Sequence, residues 1–308
     1  MSVQSSSTLD AVSRSRRALT WERRRAAVRR FWRLFRQDRV GLIGLAVLIV
    51  MVIVALAAPL LANSRGLNVT LAHGPLDAGP SLSYPLGTDT DGRSVLTLLI
   101  WGSRISLLVG ITATLISVGL GAVVGIVAGQ FGGWVDNVLM RITDWFLVIP
   151  FLPLAIALAI ALGRGIGIII FVIGVTSWPG TARIVRAQAL TVKTRPYLER
   201  SRALGAGHLH QMVKHLLPSV MPLLLANTIL TVSDAILAES TLSFLGLGDP
   251  TRQSWGEMLN NVFESTGGSA GNVVWLIAPG TAIIIVVLAF TVVGHTVEGA
   301  LSPRLRER

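Results

Sequence analysis

Long apolar runs broken by short polar segments set the pattern of this chain. A hydrocarbon core about 30 Å thick is crossed by a helix of about 20 mainly apolar residues. Six runs approach or exceed that length: Val40–Leu61, Ile105–Ala128, Val138–Leu162, Ile166 to about Arg183, Leu217–Leu245 and Val273 to about Val297. Each contains glycine, proline or threonine, which membrane helices tolerate because neighbouring helices satisfy the freed backbone groups. The pattern predicts an all-α integral membrane protein with six transmembrane helices.

Composition agrees, with 52% hydrophobic and 14% charged residues and a mean hydropathy of +0.65. The placement of the charge adds orientation, because loops rich in Lys and Arg stay on the cytoplasmic side. Arginines run from Arg14 to Arg39 ahead of the first span. Arg183, Arg186, Lys193, Arg195, Arg200, Arg202 and Lys214 crowd the segment between the fourth and fifth spans, and Arg304, Arg306 and Arg308 close the tail. Six spans put all three segments on one side, so both termini are expected in the cytoplasm. The predicted organisation is a basic arm over residues 1–39, a first span over 40–61, an extracytoplasmic loop over 62–104, a core over 105–300 containing a cytoplasmic loop over 187–216, and a tail over 301–308.

Within the arm, Val28, Phe31, Trp32 and Phe35 follow the i, i+3, i+4, i+7 spacing of an amphipathic helix whose other face holds Arg29, Arg30, Arg33 and Arg36. Anionic lipid attracts each such basic residue by about 1 kcal/mol. A membrane-surface elbow anchored by Arg29, Arg30, Phe31, Trp32, Arg33 and Phe35 is therefore expected, in preference to a nucleic-acid tail. No cleavable leader is expected either, since the first apolar run starts far from Met1.

The candidate chemistry is sparse. The chain has no cysteine, no G-x-x-x-x-G-K-[ST] phosphate loop, no H-E-x-x-H and no G-x-S-x-G. No catalytic residue, metal site or bound cofactor is expected. Gly163, Gly165 and Gly167 lie between two spans and read as a tight turn, and Gly121, Gly125 and Gly129 read as a small-xxx-small packing stripe.

The segment between spans four and five has its own local logic. Pro196 starts a short helix, Glu199 suits its N-terminal dipole, and Gly205 stands just past its end. A second short helix over 208–216 leads into the fifth span at Pro218. A rigid hairpin tied to two spans can pass rigid-body motion from a soluble partner to the membrane helices.

The spacing of Glu199, Gly205 and the Leu217-Pro218 pair resembles the EAA loop of binding-protein-dependent ABC importer permeases. PLGTDTDGR at 85–93, GSRISL at 102–107, GGWVDNVLMRITD at 132–144 and WPGTARIVRAQAL at 178–190 resemble the dipeptide and oligopeptide C-type branch. ESTLSFLGLG at 239–248, SWGEML at 254–259 and PRL at 303–305 do so too, and the match covers most of the chain beyond residue 40.

The resemblance implies a type I ABC importer permease fold in the inner (plasma) membrane of a prokaryote, forming half of a pore for di- and oligopeptides. It implies a B-type permease as heterodimer partner, two ABC ATPase subunits that hold ATP and Mg2+, and an extracytoplasmic substrate-binding protein. It also implies alternating access driven through Tyr197, Glu199, Arg200, Arg202, Ala203, Leu204, Gly205, Ala206, Leu217 and Pro218. The chain departs from the family pattern at Arg200 and Ser201, which replace the two alanines that name the loop, and in EGALSPRL at 298–305, which lacks the usual aspartate. The more basic docking helix suits an acidic groove.

Ionisable groups inside spans are costly and mark pathways. Asp234 and Glu239 are candidates for a water-filled cavity, with a structural hydrogen bond to a neighbouring helix the equal alternative for Glu239. Asp144 belongs to the same candidate set, with Arg141 three residues earlier as its expected partner. The same machine with nickel, glutathione or another small solute as cargo is the nearest alternative. A channel or secondary transporter working without an ATPase leaves the hairpin unexplained.

Overall fold

Apolar sequence in lipid has to satisfy its own backbone, and helix is the form that does so within one segment. The computed structural model describes residues 21–22, 25–26, 28–266 and 273–301. The arm residues Arg14, Arg16, Arg17, Arg23 and Arg24 and the tail over 302–308, with its PRL and its three arginines, lie outside the described residues.

Helix α1 covers 28–37. It is followed by α2 (Arg39–Leu61), α3 (Val95–Phe131), α4 (Gly133–Val148), α5 (Phe151–Leu162), α6 (Ile166–Lys193), α7 (Pro196–Ala203), α8 (His208–Gln211), α9 (Leu217–Leu242), α10 (Trp255–Thr266) and α11 (Val273–Leu301). Two π turns, Met212–Leu216 and Ser243–Leu247, flank α9. The first falls where Pro218 has no N–H to offer the carbonyl of Lys214, so the local ladder widens.

Among the described residues five helices are long and apolar enough to cross a membrane, and a sixth if α4 with α5, bent by 91°, counts as one span. The span expected over Val138–Leu162 is thus broken near its middle. Pro150 forces Ile149 into an extended conformation (φ −75°, ψ 125°), which ends α4. The new direction of α5 then buries Ala155 among Ile169, Val172 and Ile173 of α6. The fourth span also continues beyond Arg183 to Lys193, so the loop expected from residue 187 begins as helix.

Packing centres on α3 against α6, and the glycine stripe makes it possible. A Cβ on Gly121 would meet the Thr181 side chain at 2.6 Å, one on Gly125 the Ala182 carbonyl oxygen at 2.6 Å, and one on Gly129 the Ala189 Cβ at 2.6 Å. The backbones touch because these side chains are missing. Gly125→Leu is therefore expected to push the two helices apart, since a carbonyl oxygen cannot yield as a side-chain tip can. Overpacking of this kind costs about 1–3 kcal/mol or more. Gly119, on the same helix with nothing within 4 Å of its Cβ position, is the control. The yield of monodisperse permease should collapse for Gly125→Leu and hold for Gly119→Leu.

The arm helix is positioned by the bundle as well as by its own amphipathicity. Phe35, expected at the lipid surface, is only 2% exposed and packs in the core formed by α2, α9 and α11, with Phe31 beside it. Trp32 stacks on Phe35 with ring centroids 5.7 Å apart and stays exposed, as do Arg29, Arg30 and Arg33. Asp38 fixes the turn into α2: one oxygen accepts from the Val40 and Gly41 amides, and the other accepts from the Thr296 hydroxyl of α11 at 2.9 Å.

Between α2 and α3, the PLGTDTDGR segment folds around Asp89, which is fully buried and accepts from both the amide and the guanidinium of Arg93, each at 2.7 Å. Arg93 also pairs with Asp91 at 3.0 Å.

Candidate functional site

The hairpin after α6 is built from local rules. Arg195 is extended because Pro196 follows it, Pro196 opens α7 at its first turn, and Glu199 lies in that turn. Gly205 takes φ +84°, its amide donates to the Arg202 carbonyl at 2.8 Å, and the Ala206 amide donates to the Ser201 carbonyl at 3.0 Å. These two bonds make a Schellman closure, which needs the left-handed backbone that glycine adopts without penalty.

One residue fastens α7 to the bundle. Leu198 is fully buried against Val192, Leu216 and Val220, while the rest of the helix turns outward. Leu204 is 87% exposed and Tyr197 45%, in the company of exposed Glu199, Arg200, Arg202, Ala203 and Gly205. Ala206 and Leu217 are half-buried and Pro218 is exposed. Leu198 aside, Tyr197 to Gly205 thus form an exposed stretch in which Leu204 and Tyr197 lie among charged neighbours, while Leu217 packs against the core beneath them.

Beneath the patch lies a buried polar clamp that sequence reasoning missed. Gln130, at the end of α3, and Gln211, at the end of α8, are both almost fully buried. Gln130 Nε2 donates to Gln211 Oε1 at 3.0 Å and sits 3.1 Å from His208 Nδ1. Gln211 Nε2 donates to the Ala206 carbonyl at 2.8 Å, and Arg202 Nε donates to Gln211 Oε1 at 3.1 Å. Lys193 Nζ closes the set by donating to the Gln130 carbonyl at 2.8 Å. The hairpin is thereby tied to α3 and α6 at once. The available signal was Gln130 itself, a lone amide at the end of a long apolar run, because such groups need partners.

Two ion pairs join α4 to α6. Arg186 grips both oxygens of Asp136, at 2.5 and 2.6 Å, and Arg183 pairs with Asp144 at 2.6 Å. The expected partner of Asp144 was Arg141 on the same helix, and the structure replaces it with Arg183 from the neighbouring one.

Next to this junction, α5, α6 and α9 border a cleft of about 430 Å3. Asp234 lines it with Ser177, Thr181, Asn227 and Thr231, and its walls include Phe151 and Leu152. Asn227 Nδ2 donates to Thr181 Oγ1 at 2.9 Å across the floor. Asp234 is exposed and lines the cleft. Glu239 is not: it is 1% exposed and accepts from the hydroxyls of Ser106, Ser240 and Ser243 at 3.0, 3.5 and 2.9 Å. Of its two alternatives, the structural hydrogen bond is the one present.

Residues 121–307 match the family described as binding-protein-dependent transport system inner membrane component. Residues 27–73 match the N-terminal TM domain of oligopeptide transport permease C. The chain is 37% identical over 276 residues to the dipeptide transport system permease protein DppC of Bacillus subtilis (strain 168), covering 89% of this chain and 85% of the relative. It is 32% identical over 280 residues to the glutathione transport system permease protein GsiD of Pectobacterium atrosepticum, covering 90% of this chain and 91% of the relative. Among solved structures, the MetNI methionine ABC transporter in inward-facing conformations superposes with a TM-score of 0.54 at 21% identity, over 66% of this chain and 96% of that one.

Proposed function

The chain belongs to the family of binding-protein-dependent transport system inner membrane components, and from that premise we propose that it is the C-type permease half of an ATP-driven importer of di- and oligopeptides. It is a multi-pass protein of the inner membrane and an ABC importer permease subunit. A B-type permease completes the pore, two ATPase subunits carrying ATP and Mg2+ drive it, and an extracytoplasmic binding protein delivers the cargo. The hairpin and both termini face the cytoplasm, where the arm helix meets anionic lipid through Arg29, Arg30 and Arg33.

The observation that carries this reading is the hairpin: an exposed patch around Leu204 and Tyr197, held rigidly on two membrane helices and α3, in a chain without a phosphate loop. A lever without an engine requires a partner that hydrolyses nucleotide. Closure of the ATPase pair would move the hairpin, and through the Gln211–Gln130 clamp and Leu198 it would move α3, α6 and α9 together. Of these, α6 and α9 border the Asp234 cleft, so its access alternates with the ATPase cycle.

Reconstitution with the partner permease, ATPases and binding protein tests the proposal directly: labelled dipeptide should accumulate in proteoliposomes only with ATP and binding protein present. Accumulation of glutathione with no uptake of simple dipeptides would move the cargo assignment toward the GsiD-like reading. Uptake without any ATPase would sink the importer reading. In the same assay, Asp234→Asn should lower uptake by about 10- to 100-fold, the range of a charge-assisted hydrogen bond worth about 1.5–3 kcal/mol. The ATPases should still co-purify with that variant, because Asp234 lies well away from the hairpin.

A further inference from the structure

At the end of α9 opposite the hairpin, we propose, a second cleft built around Glu257 receives an ammonium group, and its natural occupant is the amino terminus of the incoming peptide. This inference rests on the peptide-import reading for the identity of the occupant, and on the geometry alone for the ammonium.

Helix α10 carries Glu257, Asn260, Asn261 and Glu264 at the i, i+3, i+4, i+7 positions of one face, while Trp255, Met258 and Val262 fill the core on the other. The polar face borders a cleft of about 320 Å3, walled by Gly246, Gly248 and Pro250 from the turn after α9. Glu257 is only 8% exposed, yet its carboxylate has no hydrogen-bond or ion-pair partner among the described residues. A buried carboxylate in that position has no directly paired counter-ion, and the nearest opposing charge acting on it is that of Arg164 across the cleft.

On the α10 wall the free polar atoms are oxygens, while Arg164 and the Gln253 amide nitrogen border the cleft from its other side. Asn260 Nδ2 is committed to the Phe244 carbonyl at 3.0 Å, and Asn261 Nδ2 to Gln253 Oε1 at 3.3 Å, so each amide has its oxygen to spare. The Arg93 guanidinium is spent on Asp89 and Asp91. Arg164 borders the cleft but is exposed and forms no ion pair within 4.0 Å among the described residues. Burial, with the charges of Glu264 and Glu239 behind it, pushes the Glu257 carboxyl up to about 7 against the opposing pull of Arg164.

An ammonium group offers three donors and one charge, which suits two carboxylates and two amide oxygens on one wall. A divalent metal asks for about six or more oxygens in a closed shell, which this open cleft does not supply. Gly248 keeps the approach clear, since a Cβ there would lie 2.6 Å from Glu257 Oε2.

The test uses the full transporter in nanodiscs without its binding protein, titrated calorimetrically with the dipeptide amide Ala-Ala-NH2 and with N-acetyl-Ala-Ala-NH2. Wild type should bind the free amine at least about tenfold more tightly than the acetylated form. Glu257→Gln, which keeps the side-chain shape, should erase that preference, and Glu264→Gln should reduce it. Equal binding of the two ligands by wild type would overturn the proposal without any variant. So would a Glu257→Gln permease that retains the preference, or sodium chloride that competes as well as ethylammonium chloride. Uptake by the complete transporter separates the two ideas: wild type that imports no peptide sinks the cargo reading, whereas normal import with no amine preference sinks only this cleft.

Discussion

A Gly205→Val permease is expected to lose ATP-driven uptake by at least about tenfold while reaching the membrane in normal amount. The reason is conformational: Gly205 holds φ +84°, where a β-branched residue is strained by about 1–3 kcal/mol, and every 1.4 kcal/mol is about tenfold in an equilibrium. Nothing lies within 4 Å of its Cβ position, so the added side chain meets no wall inside the protein. The strain is instead relieved by opening the Schellman closure, which frees the Ala206 amide from Ser201 and draws the Ala206 carbonyl away from Gln211. Leu204, the most prominent side chain of the patch, then loses its fixed position.

Gly207 supplies the control. It is two residues further on, equally unobstructed, and sits at φ −68°, which valine adopts freely. Uptake into proteoliposomes and co-purification of the ATPases should both fail for Gly205→Val and both survive for Gly207→Val. If the two variants transport alike, the hairpin is not a geometrically specified docking element.

What could be read in the sequence was what local chemistry or lipid dictates. The apolar runs behind α2, α3, α6, α9 and α11 have to be helices because nothing else satisfies a backbone in hydrocarbon. The Gly121, Gly125, Gly129 stripe was legible because a four-residue spacing of small residues has one helical meaning. So was the hairpin, whose Pro196 and Gly205 follow start and stop rules that act within a few residues. The break at Pro150 was not, since proline inside an apolar run is tolerated in membrane helices whether or not it bends them. Its 91° turn is decided by how Ala155 of α5 packs on α6.

Partners distant in sequence were equally invisible. Asp144 has an arginine three residues before it, yet pairs with one 39 residues away, and Gln130 finds Gln211 across 81 residues. Only the packing of α4 on α6, and of the hairpin on the end of α3, brings these groups together, and that packing is a property of the assembled bundle.

Glu239→Ala is expected to cost the permease its fold before it costs any step of transport. Glu239 Oε2 accepts from Ser106 of α3, Oε1 accepts from Ser243 in the π turn, and Ser240 completes the set. Ser106 Oγ in turn accepts from the Trp255 amide at 3.2 Å, so one carboxyl group joins α3, α9, the π turn and the first turn of α10. Truncation orphans buried hydroxyls, each costing about 1–3 kcal/mol, and leaves a void beside them. The cost spreads to α10, whose start loses its tie to α3. Purified Glu239→Ala should therefore melt many degrees below wild type and dissociate from its partner permease. Glu239→Gln retains an oxygen for one of the serines and should lie between the two. A Glu239→Ala complex as heat-stable as wild type but altered in peptide uptake would return this residue to the pathway, where sequence alone had allowed it.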